Sequence, residues 1–245
     1  MIEIRHSGMT EMSSTQKAYD QIYRGDGILL QDSFYLWLLE LLKLKEGKRL
    51  LDISCGEGRL VVLARMRGLE AIGLDFSYVG LTIGHSQDPR SGWVTGDGQA
   101  LPFPGDSMDY VTHIGSLEHY LDPGNGAREI RRVLKPDGQA CILVPNAFGL
   151  FGNIQHVWSH GEVFDDSQPL QRYATRLTWE RLLADNGLVI HRVVGYGEVE
   201  RPRTRVDWVR YLKNPRKIIR IALSRMTPVN LANHFVFLCG AGAPD

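Results

Sequence analysis

Short apolar runs alternate with longer segments of helix-forming composition along most of the chain. The runs are only four to seven residues long, which is typical of strands rather than helices. They lie at residues 50–53, 70–74, 108–114, 140–144, 188–194 and 234–239, with a shorter strand expected to end at Asp97. The helical segments lie at 10–24, 30–45, 60–67 and 179–186, the last capped by Thr178. This alternation predicts an α/β fold built on a mostly parallel sheet.

The stretch Arg-Leu-Leu-Asp-Ile-Ser-Cys-Gly-Glu-Gly-Arg-Leu joins the first of these runs to the helical segment after it, at residues 49–60. Gly56 and Gly58 permit backbone angles and a close ligand approach that a Cβ atom would prevent. A strand, a glycine turn and a helix open a doubly wound domain, in which ligands bind at the carboxyl ends of the strands. The turn therefore predicts a nucleotide site.

Residues around the turn discriminate between nucleotides. The dinucleotide fingerprint requires a third glycine, and Val61 stands in its place. Asp52, just before the turn, places a carboxylate where a phosphate would be repelled. Both residues weaken an NAD or FAD interpretation and favour a ligand that carries positive charge.

Two further acids follow predicted strands. Asp75 lies at the spacing where nucleotide-binding folds place an acid for the ribose hydroxyls, although a helix N-cap is its alternative role. Asp97 ends the next short strand and precedes Gly98 and Gln99. Acids at three successive strand ends are not expected by chance and support one common polar ligand.

Several segments between residues 50 and 145 resemble class I S-adenosylmethionine-dependent methyltransferases, in particular the small-molecule type similar to ubiquinone- and menaquinone-pathway enzymes. The similar segments are Asp-Ile-Ser-Cys-Gly-Glu-Gly, Gly-Asp-Gly-Gln-Ala-Leu-Pro-Phe, Leu-Glu-His and Arg-Val-Leu-Lys-Pro-Asp-Gly. Asp137 departs from the family's glycine in the last of them, a change that turn geometry tolerates. The resemblance implies a Rossmann-like, seven-stranded, doubly wound sheet in the order 3-2-1-4-5-7-6, with helices on both faces and strand 7 antiparallel.

The resemblance also implies S-adenosylmethionine as the cofactor. Asp52 and the turn at 54–58 would hold its methionine end, Asp75 its ribose and Asp97 its adenine amine. The expected cofactor-binding residues are Asp52, Ser54, Cys55, Gly56, Gly58, Asp75, Phe76, Ser77, Asp97, Gly98, Gln99 and His113. Tyr19, Tyr23 and Trp37 lie in helices expected to close over the cofactor, where they either line the acceptor side or pack on the sheet edge.

Methyl transfer from a sulfonium depends first on alignment and desolvation, so a catalytic base is optional. For a hydroxyl acceptor, His113 and His119 are the catalytic candidates, followed by His156 and His160. A hydrogen-bonded structural role is the alternative for each.

Glu118 and His119 also resemble a segment that holds a divalent cation in some ubiquinone-pathway O-methyltransferases. Those proteins carry an acid three residues before the glutamate, where this chain has Gly115. Too few hard oxygen ligands remain, so no metal is predicted.

Charge and composition narrow the function further. Acidic and basic residues balance at 28 each, which removes a global electrostatic argument for nucleic-acid binding. The three cysteines, Cys55, Cys141 and Cys239, suit reduced residues of a cytosolic protein. The first residues lack a secretory signal and the most apolar helical segment is too short and too charged to cross a bilayer. We therefore expect a cytoplasmic protein, with peripheral membrane contact as an option.

A single methyltransferase domain is expected over residues 1–245. It comprises a helical cap (1–46), a cofactor-binding core (47–145), a substrate-side insertion (146–177) and the C-terminal part of the sheet (178–245). The last part contains a basic insertion, 201–232, with nine Arg or Lys residues against one acid, Asp207. From Pro215 onward its pattern predicts a basic amphipathic helix. This insertion is interpreted as a lid, as a contact to a membrane or lipid-linked acceptor, or as an RNA contact.

The sequence therefore predicts S-adenosylmethionine-dependent methyl transfer to a small-molecule or lipid-linked acceptor, on oxygen or nitrogen, by in-line displacement. A non-catalytic cofactor-binding partner subunit and an RNA-directed methyltransferase are alternatives, and a dehydrogenase comes after them. Neither the acceptor nor the oligomeric state follows from the sequence.

Overall fold

The computed structural model describes residues 1–6, 12–25, 27, 30–199, 202–203, 205–214, 220–221, 223–224 and 226–242. Within these residues the strands are β1 (Ile2–Arg5), β2 (Arg49–Ile53), β3 (Glu70–Asp75), β4 (Gly92–Thr95), β5 (Met108–Ile114), β6 (Leu134–Pro145), β7 (Leu170–Tyr173), β8 (Leu188–Tyr196) and β9 (His234–Ala241). The α-helices are α1 (Met12–Arg24), α2 (Asp32–Leu41), α3 (Arg59–Arg65), α4 (Tyr78–Gln87), α5 (Pro123–Val133), α6 (Gln155–His160), α7 (Arg176–Asp185) and α8 (Arg205–Lys213). Single helical turns occur at Leu117–His119, Leu150–Ile154 and Val229–Leu231.

Seven strands form one sheet in the order β4-β3-β2-β5-β6-β9-β8. The neighbours from β4 to β6 run parallel, and β9 runs antiparallel to both β6 and β8. Numbered among themselves, these seven strands follow the predicted order 3-2-1-4-5-7-6. The predicted sheet and its antiparallel last strand are therefore confirmed.

Both faces of the sheet are covered, because neighbouring residues of each central strand point to opposite sides. Leu51 packs with Ile130 of α5 and Trp179 of α7 in one core. Leu50 packs with Phe34 of α2 and other residues of α2 and α3 in the second core. Continuous apolar runs are what such doubly covered strands require.

A small second sheet was not predicted. Strand β1 pairs antiparallel with β7, so that Ile2 lies opposite Tyr173 and Arg5 opposite Leu170. Neither segment has a distinctive apolar run, and the two are far apart in the sequence. Their pairing ties the N-terminus to the segment predicted as an insertion.

Two predicted element ends are corrected by the structure. Helix α7 begins before Thr178, because Thr175 occupies the cap position and its side chain accepts a hydrogen bond from the Thr178 N–H. Strand β4 ends at Thr95, so Asp97 lies in the loop after it.

Most of the basic helix predicted from Pro215 onward lies outside the described residues. In the part of the chain that the structure describes, no helix has both the length and the apolar character needed to span a membrane.

Candidate functional site

A cavity of about 220 Å³ lies at the carboxyl ends of β2, β3 and β5. Parallel strands end at the same edge of a sheet, which brings residues from distant parts of the sequence to one place. Its lining residues are Tyr19, Tyr23, Leu30, Tyr35, Asp52, Ser54, Cys55, Gly56, Leu60, Asp75, Phe76, Gly96, Asp97, Gly98, Gln99, Ile114, Gly115, Ser116, His119, Tyr120, Leu121, Gln168, Pro169 and Leu170. Most of the predicted cofactor-binding residues are therefore gathered here.

The glycine turn uses left-handed backbone angles. The φ angle is 55° at Gly56 and 67° at Gly58, a region that glycine adopts without strain. A Cβ atom on Gly56 would lie 2.7 Å from the Tyr23 hydroxyl, so the missing side chain makes room for that ring. Gly58 instead faces the indole ring of Trp93 and does not line the cavity. Its contribution is to the turn and to packing, not to the cavity wall.

Asp75 is held at the cavity by two backbone donors. One carboxylate oxygen accepts the Gly56 N–H at 2.7 Å, and the other accepts the Ser77 N–H at 2.7 Å. Burial nevertheless raises the pKa of Asp75 to about 6, because the loss of hydration outweighs these hydrogen bonds. Each oxygen retains a lone pair for a further donor such as a ribose hydroxyl.

Asp52 is the second buried acid of the cavity. Its carboxylate accepts a hydrogen bond from the Thr112 hydroxyl at 2.7 Å. Burial raises its pKa to about 7, with a further contribution from the neighbouring Asp75 charge. Among the described residues, no Lys or Arg forms an ion pair with either acid. A cationic ligand would supply that missing charge.

Asp97 lies in the loop after β4 and organises its neighbours. Its carboxylate accepts the Gln99 backbone N–H at 2.9 Å. The Gln99 side chain in turn accepts the Asp122 N–H at 2.9 Å, which fixes the loop against the start of α5. Gly98 lies against the Tyr120 ring, where a side chain would overlap it.

His119 is the predicted histidine that reaches the cavity. Its Nδ1 atom lies 2.5 Å from the Leu170 carbonyl oxygen, which can only accept a hydrogen bond. The proton of the neutral ring is therefore on Nδ1, and Nε2 is left as a base. Burial lowers the pKa of His119, so the ring is neutral near pH 7. Nε2 lies 3.8 Å from a carboxylate oxygen of Asp166, which would stabilise a protonated ring.

The structure places His113 elsewhere. Its ring is fully buried, packs edge-on against Tyr120 and does not line the cavity. Burial lowers the pKa of His113 to about 3, and neither ring nitrogen has a hydrogen-bond partner. The ring is therefore a neutral packing element, which corrects the predicted contacts of His113 with cofactor and acceptor. His156 and His160 stack on each other in α6, outside the cavity lining.

Glu118 is buried beside His119, with one carboxyl oxygen 3.9 Å from His119 Nε2. Burial raises its pKa to about 8, so the carboxyl group is protonated at neutral pH. One of its oxygens has no hydrogen-bond partner.

Helix α1 covers the cavity through hydrogen bonds to two separate segments. The Tyr19 hydroxyl donates to the Gln168 side chain at 2.8 Å, and Gln168 donates to Asp166 at 3.0 Å. Gln16 donates to the Phe76 carbonyl at 2.9 Å. Ser77, predicted to touch the cofactor, instead caps α4 by accepting the Gly80 N–H and donates to Asp20 of α1.

Several lining residues were not predicted from the sequence. Tyr120 is hydrogen-bonded to Ser54 at 3.0 Å between the two hydroxyl oxygens, and Tyr35 comes from α2. Gln168 and Leu170 come from the predicted insertion. Tyr120 could have been predicted from its position next to His119 in the sequence. Tyr35, Gln168 and Leu170 reach the cavity only through long-range contacts of the folded chain. Trp37, for which the sequence left open the acceptor side or packing on the sheet edge, lines a different cavity.

Comparison with known proteins shows that part of the chain is similar to methyltransferases. Residues 51–142 match the family described as "Methyltransferase domain". The chain is 34% identical over 122 residues to a demethylmenaquinone methyltransferase of Bacillus subtilis, covering 46% of this chain and 52% of that protein. It is 32% identical over 114 residues to a ubiquinone/menaquinone biosynthesis C-methyltransferase of Geobacter sulfurreducens, covering 43% of this chain and 44% of that protein. The chain thus spans about half the length of the curated relatives it matches.

Solved structures show the same fold. An S-adenosylmethionine-dependent methyltransferase from Mesorhizobium loti aligns with a TM-score of 0.62 at 16% identity, covering 85% of this chain and 97% of that chain. The [4+2]-cyclase SpnF aligns with a TM-score of 0.66 at 18% identity, covering 95% and 97%. At this identity the likeness establishes the architecture, and the reaction must be argued from the site.

Proposed function

We propose that the chain is a class I S-adenosylmethionine-dependent methyltransferase, in keeping with the match of residues 51–142 to the family described as "Methyltransferase domain", and that it methylates a small hydroxylated aromatic molecule. The main observation behind the proposal is that a pair of buried acids and a histidine line the same cavity. Asp52 and Asp75 form a buried acidic pair with which no described Lys or Arg forms an ion pair, and His119, whose Nδ1 faces the Leu170 carbonyl, lines the same cavity.

The acidic side of the cavity fits the cofactor. When bound, S-adenosylmethionine supplies a methyl group activated by a positively charged sulfur. Asp52 would offset the positive charge of the methionine portion, Asp75 would accept hydrogen bonds from the ribose, and the Asp97–Gln99 loop would bind the adenine. Binding of a cation favours the charged form of both buried acids, so it lowers their raised pKa values towards ordinary ones.

The chain would accelerate the transfer mainly by alignment and exclusion of water. Tyr19 and Tyr23 cover the cavity from α1, and the Tyr19–Gln168 hydrogen bond closes this cover against the loop before β7. Alignment of two reactants in a dry site can contribute several orders of magnitude in rate. We assign residues 146–177 to the acceptor side of a single domain, since Gln168, Pro169 and Leu170 line the cavity.

His119 would remove the proton of the acceptor hydroxyl. The Leu170 carbonyl holds the Nδ1–H, so Nε2 would accept that proton, and Asp166, 3.8 Å from Nε2, would stabilise the resulting imidazolium. An ionised aromatic hydroxyl makes both its oxygen and the ring carbons ortho and para to it nucleophilic.

We place the new methyl group on a ring carbon. The sequence alone favoured oxygen or nitrogen, but one relative is named as a C-methyltransferase and others as methyltransferases of demethylmenaquinone or 2-phytyl-1,4-naphtoquinone. A new carbon–carbon bond would form as the sulfur–methyl bond breaks, and loss of the ring proton would restore the aromatic system.

The test is transfer of labelled methyl groups from S-adenosylmethionine to reduced benzoquinones and naphthoquinones, with amines and RNA as comparison acceptors. Label on a ring carbon of a hydroxylated aromatic, located by NMR, is the expected result. Label confined to amines or RNA would contradict the proposed acceptor. Cofactor binding with no transfer to any acceptor would instead support a non-catalytic partner subunit.

A further inference from the structure

Helix α8 exposes the apolar side chains that a surface helix ordinarily buries. Val206 is 72% exposed, Trp208 57%, Val209 51% and Leu212 74%. The residues that this helix buries are polar or amphipathic, with Asp207 3% and Tyr211 6% exposed. Burial of apolar surface normally drives helix docking, so the orientation of α8 is the reverse of the usual one.

Polar contacts hold α8 in this orientation. The backbone N–H of Arg203 donates to the Asp207 carboxylate at 3.1 Å, just before the helix begins. The Arg203 guanidinium then pairs with Glu40 of α2 at 2.7 Å. These contacts anchor the inner side of α8 to the domain, and they leave the apolar side facing outward.

The charged residues that α8 exposes among those the structure describes are both basic. Arg205 and Lys213 are exposed at the two ends of α8. The surrounding sequence from 201 to 232 carries nine basic residues and a single acid, Asp207, which lies on the inner side. The apolar surface therefore has a described basic residue at each end of α8.

We propose that the outer surface of α8, formed by Val206, Trp208, Val209 and Leu212 and bordered by Arg205 and Lys213, binds the surface of an anionic lipid membrane. Apolar side chains enter the interfacial region, a Trp ring suits the headgroup level, and basic residues gain from anionic lipid. A protein partner or nucleic acid fits less well, because the surface combines exposed aliphatic groups with flanking cations. The proposal does not rest on the methyl transfer reaction.

Flotation with vesicles tests this surface without any methyl acceptor, so its outcome is independent of the proposed activity. We expect the protein to float with phosphatidylglycerol-containing vesicles and not with neutral phosphatidylcholine vesicles, and binding to weaken as salt is raised. Replacing Val206, Val209 and Leu212 together by Ser should lower the partition coefficient by about tenfold or more. The double reversal Arg205→Glu and Lys213→Glu should lower it by at least about tenfold, since each charge contributes about fivefold near anionic lipid.

Matched variants control for a general loss of surface apolarity or charge. Met66→Ser with Leu177→Ser removes exposed apolar side chains elsewhere, and Lys43→Glu with Lys45→Glu reverses two charges in the loop after α2. Both double variants should bind vesicles like the unmodified protein.

Three results would overturn the proposal. One is the absence of vesicle binding at any composition, and another is equal binding by the α8 and control variants. The third is evidence that something other than a membrane occupies this surface. This would be a dimer in sedimentation, or retention of RNA, that the α8 variants abolish in a protein that does not bind vesicles. Circular dichroism of each variant separates these results from misfolding.

Discussion

Asp52 and Asp75 show most directly how a single residue type determines what the cavity can bind. Both carboxylates are almost completely buried, and their pKa values are raised to about 7 and about 6. A folded-state pKa above the ordinary value means that ionisation is unfavourable in the folded protein. The free energy of unfolding therefore falls as pH rises from about 4 to the raised pKa. The site is destabilised without its ligand and is stabilised by a cation.

This argument predicts opposite effects of Asp52→Asn on stability and on cofactor affinity. At pH 8 the unliganded variant should melt at a higher temperature than the unmodified protein, because the cost of a buried charge is removed. The difference should vanish near pH 4, where the native acid is protonated. The same variant should bind S-adenosylmethionine at least about tenfold more weakly at pH 8, since a charge-assisted contact is lost. Scanning calorimetry with and without cofactor measures both, and equal melting temperatures at pH 8 would contradict the electrostatic argument.

The proposed role of His119 as a base can be tested in turnover. We expect His119→Gln to lower kcat by about 100-fold or more while cofactor affinity changes little, as for loss of a general base. The rate of the unmodified protein should rise with pH and level off below about pH 7, because the lowered pKa of His119 keeps its ring neutral there. His85→Gln, an exposed histidine of α4, is the matched control. A pH–rate profile that is unchanged in His119→Gln would exclude the base.

The sequence was informative about the acids and less so about the histidines. Asp52, Asp75 and Asp97 could be recognised because each lies near the carboxyl end of a strand, and strand ends converge at one edge of a parallel sheet. His113 also ends a strand, but its ring points into the core, and no local pattern distinguishes the two directions. Gln168 could not be found, because it reaches the cavity through a loop whose path depends on the pairing of β1 with β7.

At the scale of the element, the turn between β2 and α3 depends on two glycines for different reasons. Gly56 makes room for Tyr23 at the cavity, and Gly58 lies against Trp93 while starting α3 with a φ of 67°. Any side chain at Gly58 would combine backbone strain with overlap. The turn therefore connects the cavity wall to the packing of β4.

Gly58→Ala should lower the free energy of unfolding by roughly 2–4 kcal/mol, of which about 1–2 kcal/mol is left-handed backbone strain and the rest is overlap. Gly161→Ala provides the matched control, because Gly161 also has a positive φ, 85°, but no atom within 4 Å of an added Cβ. That variant should lose only the strain contribution. Urea denaturation compares the two, and equal losses would show that contact with Trp93 is unimportant.

Element boundaries were predicted where one local signal dominates. The apolar runs predicted the central strands, because a strand covered on both faces is mostly apolar, even though β2 and β5 also bury Asp52 and His113. At α7 two threonines compete for the cap position, and Thr175 rather than Thr178 caps the helix, because the Thr175 side chain accepts the Thr178 N–H. Strand β1 gave no comparable signal, since its residues are mostly exposed.

At the scale of the whole molecule, the strand order places the reactive parts together. The crossing from β2 to β5 in the sheet opens the edge at which the glycine turn, Asp75 and His119 meet. Helix α1 and the segment before β7 then cover this edge from two distant parts of the sequence. The strand order could be predicted from the sequence motifs and the family resemblance. The covering of the cavity by α1 and the segment before β7 could not, because it depends on contacts between residues that are far apart in the sequence.

The most direct test of the account is calorimetric titration of the protein with S-adenosylmethionine, its demethylated product and NADH. We predict binding of the first two and not of NADH, and a loss of about 1.5–3 kcal/mol in binding free energy for Asp75→Ala, which removes a charge-assisted acceptor. Glu70→Ala, which removes an exposed acid from the other end of β3, should leave the affinity unchanged. Unchanged affinity in folded Asp75→Ala would contradict the ribose assignment, and binding of NADH without S-adenosylmethionine would contradict the methyltransferase account itself.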